Sequence, residues 1–453
     1  MNGEIGRPRG LMRVALVAAI LAGAAPVAGQ QDSLDLAAAL RLARERSPAL
    51  QAGTALVRAA EGGATVARSA RLPRLSADGL YLRYQSPPEV SLGPLGTYTP
   101  LAENTYAAGV VARQPLYSSG RISAGIDAAS SSVRAAELAR AQAEVDVTAA
   151  VAQAHHDALL ARELEKAAEK SLAVLSRAAD VARAHHREGT VSQLDVLRAE
   201  TRLSSASAAL RRAVTARTAA REVLAAAVGL DPAQAPPVKG SLTPEELVES
   251  FLEGADVATL ASRGGPSVRA RAEAAAAARA RAEAARAARR PSVGLFLAGL
   301  TTQPELISGE DRWGFELAAG VSVSWALYDG GAASGEAAVH EAEAERLAAE
   351  AMQERLSTEA AARTQQREMR RARTDVAAAV DNLQRAERAL AIAEDRYAEG
   401  VGLQLEVLQA EGDLTEVRGE MARAVHAYHS AHTALLRALG LVADTPLTEV
   451  EGG

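Results

Sequence analysis

The fold is decided by a stretch that occurs twice: EGTVSQLDVLRAE at residues 188–200 and EGVGLQLEVLQAE at residues 399–411. The two copies are 211 residues apart, and the same shift places Gly229 on Gly440. Self-similarity over so long a period indicates that two copies of one structural unit follow each other in the chain.

Prolines mark the same positions nearer the start of each copy, where the shift becomes 218. Pro73 then matches Pro291. Proline suits the first turn of a helix and stops one that precedes it, so Pro48 predicts a helix start and Pro73 a helix end. Residues 121–187 contain no proline and are rich in Ala, Glu, Arg and Leu, which predicts one helix about 100 Å long.

The chain is divided into five segments by these signals. They are a signal peptide at 1–29, a first repeat at 30–230, a linker at 231–265, a second repeat at 266–441 and a tail at 442–453. In the first repeat we predict helices at 35–46, 48–72, 121–187 and 192–228 and strands at 74–84 and 105–117. In the second we predict helices at 266–290, 332–398 and 403–439 and strands at 292–302 and 313–327.

Helix lengths suggest how each unit is arranged. The helix at 121–187 is nearly as long as those at 48–72 and 192–228 laid end to end, so the three predict a wall of uniform height. Aromatic residues make up only 3% of the chain, and alanine dominates many segments. Small side chains let helices pack at the short end of the roughly 8–10 Å range.

The first thirty residues have the layout of a secretory signal peptide. Arginines precede an apolar run from Val14 to Leu21, and small residues lead to a cleavage site after Gly29. The alternative, an N-terminal membrane anchor, is disfavoured because the run is shorter than the roughly 20 residues that span a bilayer. The chain has no cysteine, which excludes disulfides and a lipid-modified cysteine, and its net charge of −6 suggests no nucleic-acid partner.

Aromatic residues concentrate in the strand segments: ten of the thirteen lie within 73–117 or 291–328. At 313–327 apolar and small or polar residues alternate, as in a transmembrane strand with one face on lipid. Trp313 and Trp325 share the apolar face, about 30 Å apart along the membrane normal, near the spacing of two aromatic girdles. We predict membrane-interface aromatics at Tyr81, Tyr106, Trp313, Phe315 and Trp325. A soluble, half-buried sheet is the alternative.

Four strands cannot close a transmembrane barrel, because about eight is the minimum and an open edge in lipid leaves backbone groups unsatisfied. The chain is therefore expected to oligomerise. Two copies give eight strands with a filled interior, and three give twelve with room for a pore.

No catalytic motif supports an enzyme: the sequence has no phosphate loop, nucleophile elbow or paired cysteines. His426, His429 and His432 recur every third residue, so their side chains point in successively different directions around a helix. No acidic residue lies among them. We therefore expect no metal site and no cofactor. His185 and His186, close to the first turn, leave pH-sensitive docking as an alternative to a solvated face.

Several motifs resemble the TolC-like outer-membrane efflux family across nearly all of the mature chain. The opening of the family is similar to residues 36–50, its helix-to-strand signature to Leu72-Pro73-Arg74-Leu75, and its strand-to-helix signature to 114–121 and 326–331. The resemblance implies a mainly α fold with a small β part. Each chain would supply a duplicated helix–strand–strand–helix unit, one third of a trimeric α-helical periplasmic tunnel and of a twelve-stranded β-barrel.

The resemblance also implies a function. The protein would be a homotrimer in the outer membrane, with most of the chain in the periplasm, in contact with outer-membrane lipid. It would conduct substrates from an inner-membrane pump through a periplasmic adaptor, without catalysis. A structural periplasmic coiled coil, an adaptor and an extracytoplasmic enzyme are alternatives that the duplicated strands disfavour.

Site residues follow from the resemblance at the two hairpin turns, which form the periplasmic tip of the tunnel in the family. The pore constriction would be at Glu406 and Gln409, where the best-studied members of the family have two acids, and Gln409 departs from that pattern. A tip latch would join Asp195 to Tyr397, with Gly402 in place of a further arginine. The adaptor-docking tips would be Gly189, Thr190, Val191 and Ser192, and Gly400, Val401, Gly402 and Leu403. Asp195 and Glu406 equally fit a plainer role, in which an acid stabilises the positive first turn of a helix.

Overall fold

The computed structural model describes residues 33–86, 90–91, 93–95, 97–98, 103–244, 255–262, 264–303, 312–399 and 401–443. The predicted signal peptide at 1–29, most of the predicted tail at 442–453 and residues 245–254 of the linker lie outside them. Among the described residues no helix has the length and apolar character that a membrane crossing needs.

Eight helices are described, and six of them form pairs of equal length in the two repeats. They are α1 Leu36–Arg46, α2 Pro48–Ser69, α3 Arg121–Arg187, α4 Gln193–Ala227, α5 Val257–Ser262, α6 Pro266–Ala287, α7 Ala332–Ala398 and α8 Gln404–Ala438. The partners have 67 residues in α3 and α7, 35 in α4 and α8, and 22 in α2 and α6. Their bounds lie within three residues of those that the sequence predicts.

The ends of α2 and α6 come three residues earlier than predicted, for the same reason in both repeats. Leu72 and Arg290 each precede a proline, and a residue before proline is pushed out of the helical region. The amide of Leu72 donates to the carbonyl of Ser69 at 3.0 Å, and that of Arg290 to Ala287 at 3.0 Å. These i to i+3 bonds tighten the last turn and end each helix.

The shorter helices of each repeat follow one another along the long helix. Gly229, just after α4, lies so close to the start of α2 that a Cβ there would be 2.9 Å from the carbonyl oxygen of Arg46. Gly440, just after α8, would place a Cβ 2.6 Å from Cδ of Pro266, the first residue of α6. The end-to-end arrangement that the helix lengths predict is therefore present in both repeats.

The core is spread along the helices and is built mostly from alanine. Larger buried side chains gather in three groups, of which the smallest joins Leu159, Leu242, Val376 and Val425. The other two lie near the middle of the long helices. One joins α5, α7 and α8 through Val257, Met369, Tyr428, Leu435 and Leu436. The other joins α1, α3 and α4 through Leu40, Val151, Leu224 and Val228. The linker is tied to this region, because Leu34 pairs with Val238 in a short parallel bridge.

A four-stranded antiparallel sheet continues beyond one end of the helices, in the order β1-β4-β5-β6. Its strands are β1 Arg74–Arg83, β4 Asn104–Tyr117, β5 Ser292–Gln303 and β6 Gly314–Ser324. A small hairpin of β2 Val90–Ser91 and β3 Thr97–Tyr98 lies in the longer loop of the first repeat. The sequence did not predict this hairpin, because two-residue strands carry no periodicity.

The predicted strand at 313–327 is too long, and β6 ends at Ser324. Its partner β5 begins at Ser292, which pairs with Ser324 and follows Pro291. Proline has no amide hydrogen to donate, so the ladder cannot extend past this pair. Trp313 and Trp325 therefore flank β6 and are not part of it.

Candidate functional site

The first hairpin turn joins α3 to α4 and holds the predicted tip residues. Gly189 has a φ of 75°, which suits glycine, and its amide donates to His186. Ser192 caps α4: its hydroxyl accepts from the amide of Asp195 at 3.3 Å, and Oδ2 of Asp195 accepts from the amide of Ser192 at 3.2 Å. This reciprocal pair is a capping box and fixes the start of the return helix.

Asp195 has a local role in the single chain. The Ser192 hydroxyl donates to its Oδ2 at 2.6 Å, and this hydrogen bond, with that from the Ser192 amide, lowers the pKa of the Asp195 carboxyl. The side chain of Tyr397 lies outside what the structure describes, so the latch between the two residues stays a prediction. The plainer interpretation of Asp195, an acid at the start of a helix, matches the contacts seen.

The second hairpin turn joins α7 to α8 without such a cap. The amides of Val401 and Gly402 both donate to the carbonyl of Arg396, at 3.0 and 2.9 Å. Leu403 occupies the position of Ser192 and makes no side-chain cap bond. The two turns are therefore chemically different, although the amides of Thr190 and Val401 each donate to the carbonyl five residues earlier, at 2.9 and 3.0 Å. Gly400 lies outside the described residues.

Glu406 pairs with an arginine that the sequence did not single out. Its Oε2 lies 3.8 Å from Nη1 of Arg396, on the other arm of the same hairpin. Both side chains keep substantial exposure, so the pair is weak and screened. Gln409 follows three residues later, and residues at that spacing share one face of a helix. Glu406 and Gln409 thus form one polar strip at the start of α8.

An apolar groove of about 720 Å³ lies between the two hairpins. Five leucines line it, Leu194, Leu197, Leu403, Leu405 and Leu408. Leu194 is 54% exposed and Leu403 66% exposed. Exposed leucines grouped in a groove are typical of an interaction or ligand-binding surface.

Three of the predicted interface aromatics form a row across the sheet. The rings of Tyr81 and Tyr106 are 5.1 Å apart, and those of Tyr106 and Trp313 are 6.5 Å apart. Phe315 lies on this same face of the sheet, near the start of β6. Leu317, Val321 and Val323 follow it on that face, and all four side chains are at least 63% exposed. This end of the sheet is the one farther from the helices.

Trp325 lies at the other end of the sheet, next to the helices. Its indole Nε1 donates to the carbonyl of Arg289 at 3.1 Å, and the side chain is 59% exposed. The two tryptophans therefore flank opposite ends of β6, and their placement at the two membrane interfaces stays a prediction.

The histidines of α8 meet two histidines of α3 half-way along the molecule. His429 stacks on His156 with ring centroids 4.8 Å apart, and His155 lies 5.9 Å from His156. Nε2 of His426 is 2.6 Å from Oδ1 of Asp157, and Nε2 of His155 is 3.2 Å from the carbonyl oxygen of Lys239. Among the described residues no three His, Asp or Glu side chains are placed to hold a metal ion.

This cluster predicts an acid-sensitive helix contact. The pKa of His156 is lowered from 6.5 to about 3, mainly because the ring is buried and secondly because other histidines, led by His429, lie nearby. Below pH 6.5 the unfolded chain therefore binds a proton that the folded chain excludes, so stability present above that pH is lost as the pH falls. The expected loss from His156 between pH 7 and pH 5 is about 2 kcal/mol.

The test replaces His156 with glutamine and follows thermal loss of helix by circular dichroism at both pH values. The His156→Gln variant should show a smaller difference between pH 7 and pH 5 than the wild type. His340→Gln, on α7 away from the cluster, serves as the control and should behave as wild type. An unchanged pH dependence in His156→Gln would contradict the assignment.

The family model described as outer membrane efflux protein matches residues 39–230 and 258–441. The chain is similar to Protein CyaE of Bordetella pertussis, with 30% identity over 422 residues, 92% of this chain and 86% of that protein.

Solved structures share the fold at lower identity. A membrane protein from Pseudomonas aeruginosa matches with a TM-score of 0.77 and 22% identity, over 89% of this chain and 92% of that one. The Campylobacter jejuni CmeC outer membrane channel matches with a TM-score of 0.75 and 15% identity, over 91% and 88%. The outer membrane protein VceC of Vibrio cholerae matches with a TM-score of 0.73 and 21% identity, over 89% and 96%.

Proposed function

Because the chain belongs to the outer membrane efflux protein family, we propose that it is the exit channel of a tripartite efflux or secretion system. It is a protein of the outer membrane and a channel, not an enzyme. In the proposed system substrates pass from an inner-membrane pump, through a periplasmic adaptor, into the tunnel and out of the cell. Conduction through this chain is passive, and the pump supplies the energy.

The observation that carries the proposal is the sheet with two open edges. In the described part of the chain β1 and β6 each pair on one side only. Successive strands alternate in direction, so β6 runs opposite to β1, and the β1 of a second copy pairs antiparallel with it. Three copies close a barrel of twelve strands with room for a pore, and closure removes the edges that lipid cannot satisfy.

The helices support the same assembly. Apolar side chains remain exposed on α2, α4 and α7, which form the sides of the protomer. They include Leu56, Val66, Val214, Val339, Met352 and Leu356. We assign these residues to contacts between neighbouring protomers in a homotrimer.

The tip supports a docking partner. The apolar groove between the hairpins offers a surface for an adaptor. Four predicted docking residues lie at its rim or beside it: Val191, Ser192, Val401 and Leu403. The capping box at Ser192 holds the first turn in one conformation, whereas the second turn lacks that restraint. We expect the first hairpin to give the more rigid docking surface.

The proposed constriction predicts a change in ion selectivity. In a trimer three copies of Glu406 ring the tip, and their negative potential favours cations, as acidic rings do in cation channels. Arg396 neutralises part of this charge. We expect discrete current steps from the purified protein in planar bilayers, and a lower cation selectivity for Glu406→Gln, measured from reversal potentials in a salt gradient.

Gln409→Glu is the matched variant, because it adds a charge to the same helix face and should raise cation selectivity. If neither substitution alters the reversal potential, the constriction lies elsewhere. Tyr397→Phe should chiefly raise the open probability, since it removes the latch. It is a cleaner probe than Asp195, whose replacement also removes the cap of α4.

A further inference from the structure

The two repeats differ in charge where the sheet meets the helices. Arg74 of β1 pairs directly with Arg113 of β4. The duplication places Arg74 on Ser292, with a shift of 218, and Arg113 on Ser324, with a shift of 211. Ser292 and Ser324 also pair with each other. The same cross-strand position therefore holds two arginines in the first repeat and two serines in the second.

Like charges directly opposite each other destabilise a sheet. Arg74 and Arg113 are both exposed, and within the described part of the chain neither makes an ion pair or a hydrogen bond through its side chain. Protein groups seen here therefore do not compensate the repulsion. An anion held between guanidinium groups would.

A cavity of about 570 Å³ lies on the arginine face of the sheet. Arg113 and Arg121, the first residue of α3, line it together with Ser324, and Phe296 forms its apolar side. The described residues that line it include no Asp or Glu. Guanidinium groups bind carboxylates and phosphates through paired, charge-assisted hydrogen bonds, and a serine hydroxyl adds a further donor.

The cavity opens on the face opposite to Leu317 and Val321. In the register of the sheet Arg113 pairs with Phe296, which pairs with Gly320, so these three share a face, whereas Leu317 and Val321 are on the other. If the face with Leu317 meets lipid, the cavity faces the lumen. This step rests on the proposed channel function.

We propose that Arg113 and Arg121, with Arg74 beside them, form a binding site for carboxylate or phosphate groups at the helix-proximal end of the barrel lumen. The ligand is either a mobile inorganic anion or an anionic group on a transported solute. Three chains supply three such sites around the pore. The site lies at the opposite end of the tunnel from Glu406, so the pore has an acidic entrance and a basic passage into the barrel.

The test uses inorganic phosphate and benzoate as probes on the detergent-extracted protein. Calorimetry measures phosphate binding directly, and block of potassium chloride current in planar bilayers measures it in the pore. Arg113→Ser, which copies the second repeat, should weaken phosphate binding about tenfold, and Arg121→Gln should weaken it similarly. Arg113→Lys keeps the charge but not the paired geometry, so its affinity for phosphate should lie between those of the wild type and Arg113→Ser.

Arg68→Ser is the control, because Arg68 is exposed on α2 and does not line the cavity. Block by both probes supports a site for anionic groups on solutes, and block by phosphate alone supports an inorganic anion. Absence of phosphate binding in calorimetry, or equal binding in Arg113→Ser and Arg68→Ser, would overturn the site. Absence of current steps in the wild type would instead count against the channel, while calorimetry still tests the site.

Discussion

Lysine in place of Leu317 or Val321 is expected to prevent most of the protein from assembling in the membrane. Both residues lie near the middle of β6 on its apolar face, 69% and 63% exposed in the single chain. A lysine at mid-membrane on a lipid-facing strand costs about 2–4 kcal/mol. Three chains share one barrel, so the trimer bears about three times that amount.

Ala318→Lys is the matched control, one residue from Leu317 and on the opposite face of β6. If the face with Leu317 meets lipid, the ammonium group at position 318 points into the water of the lumen, and the loss of assembly should be milder. The measurement is the fraction of membrane protein that migrates as an oligomer in mild detergent. Equal loss at Leu317 and Ala318 would show that neither face of β6 meets lipid.

The second large effect is expected at the helix junctions, from Gly229→Ala and Gly440→Ala. Both glycines have a positive φ, 78° and 72°, which costs other residues about 1–2 kcal/mol. A new Cβ at Gly229 would also overlap the backbone of Arg46, and one at Gly440 would overlap Pro266. Each substitution should destabilise the helices by at least about 2 kcal/mol.

Gly63→Ala separates this junction effect from the general effect of replacing glycine. Gly63 lies within α2, and nothing would lie within 4 Å of its new Cβ. Alanine there should stabilise the helix by about 0.5–1 kcal/mol. The midpoint of thermal helix loss should therefore fall for the two junction variants and rise for Gly63→Ala. If Gly229→Ala melted at or above Gly63→Ala, the packed junction would be wrong.

Helix positions were readable from sequence because glycine and proline mark their ends. The long helix was predicted at 121–187 and is found at Arg121–Arg187, since Gly120 and Gly189 flank it. Strand ends were less readable. The end of β6 depends on where its partner β5 begins, and such pairing is not visible along one segment.

Side-chain partners from distant segments were the main omission at the candidate sites. Arg396 was not singled out, because its contact with Glu406 exists only once the hairpin folds. Along the sequence, the histidines at 426, 429 and 432 share only one helix, whereas in the fold His156 of α3 stacks on His429. The arginine pair at 74 and 113 also required the strand register. One sign of this pair is visible in the sequence, because serine stands at both equivalent positions of the second repeat.

The central claim is that three chains close one barrel, and the mass of the protein extracted from membranes in mild detergent tests it most directly. Native mass spectrometry should find three chains per particle, because the open edges of β1 and β6 are satisfied only by neighbouring copies. A folded, stable monomer in the same detergent would contradict the account.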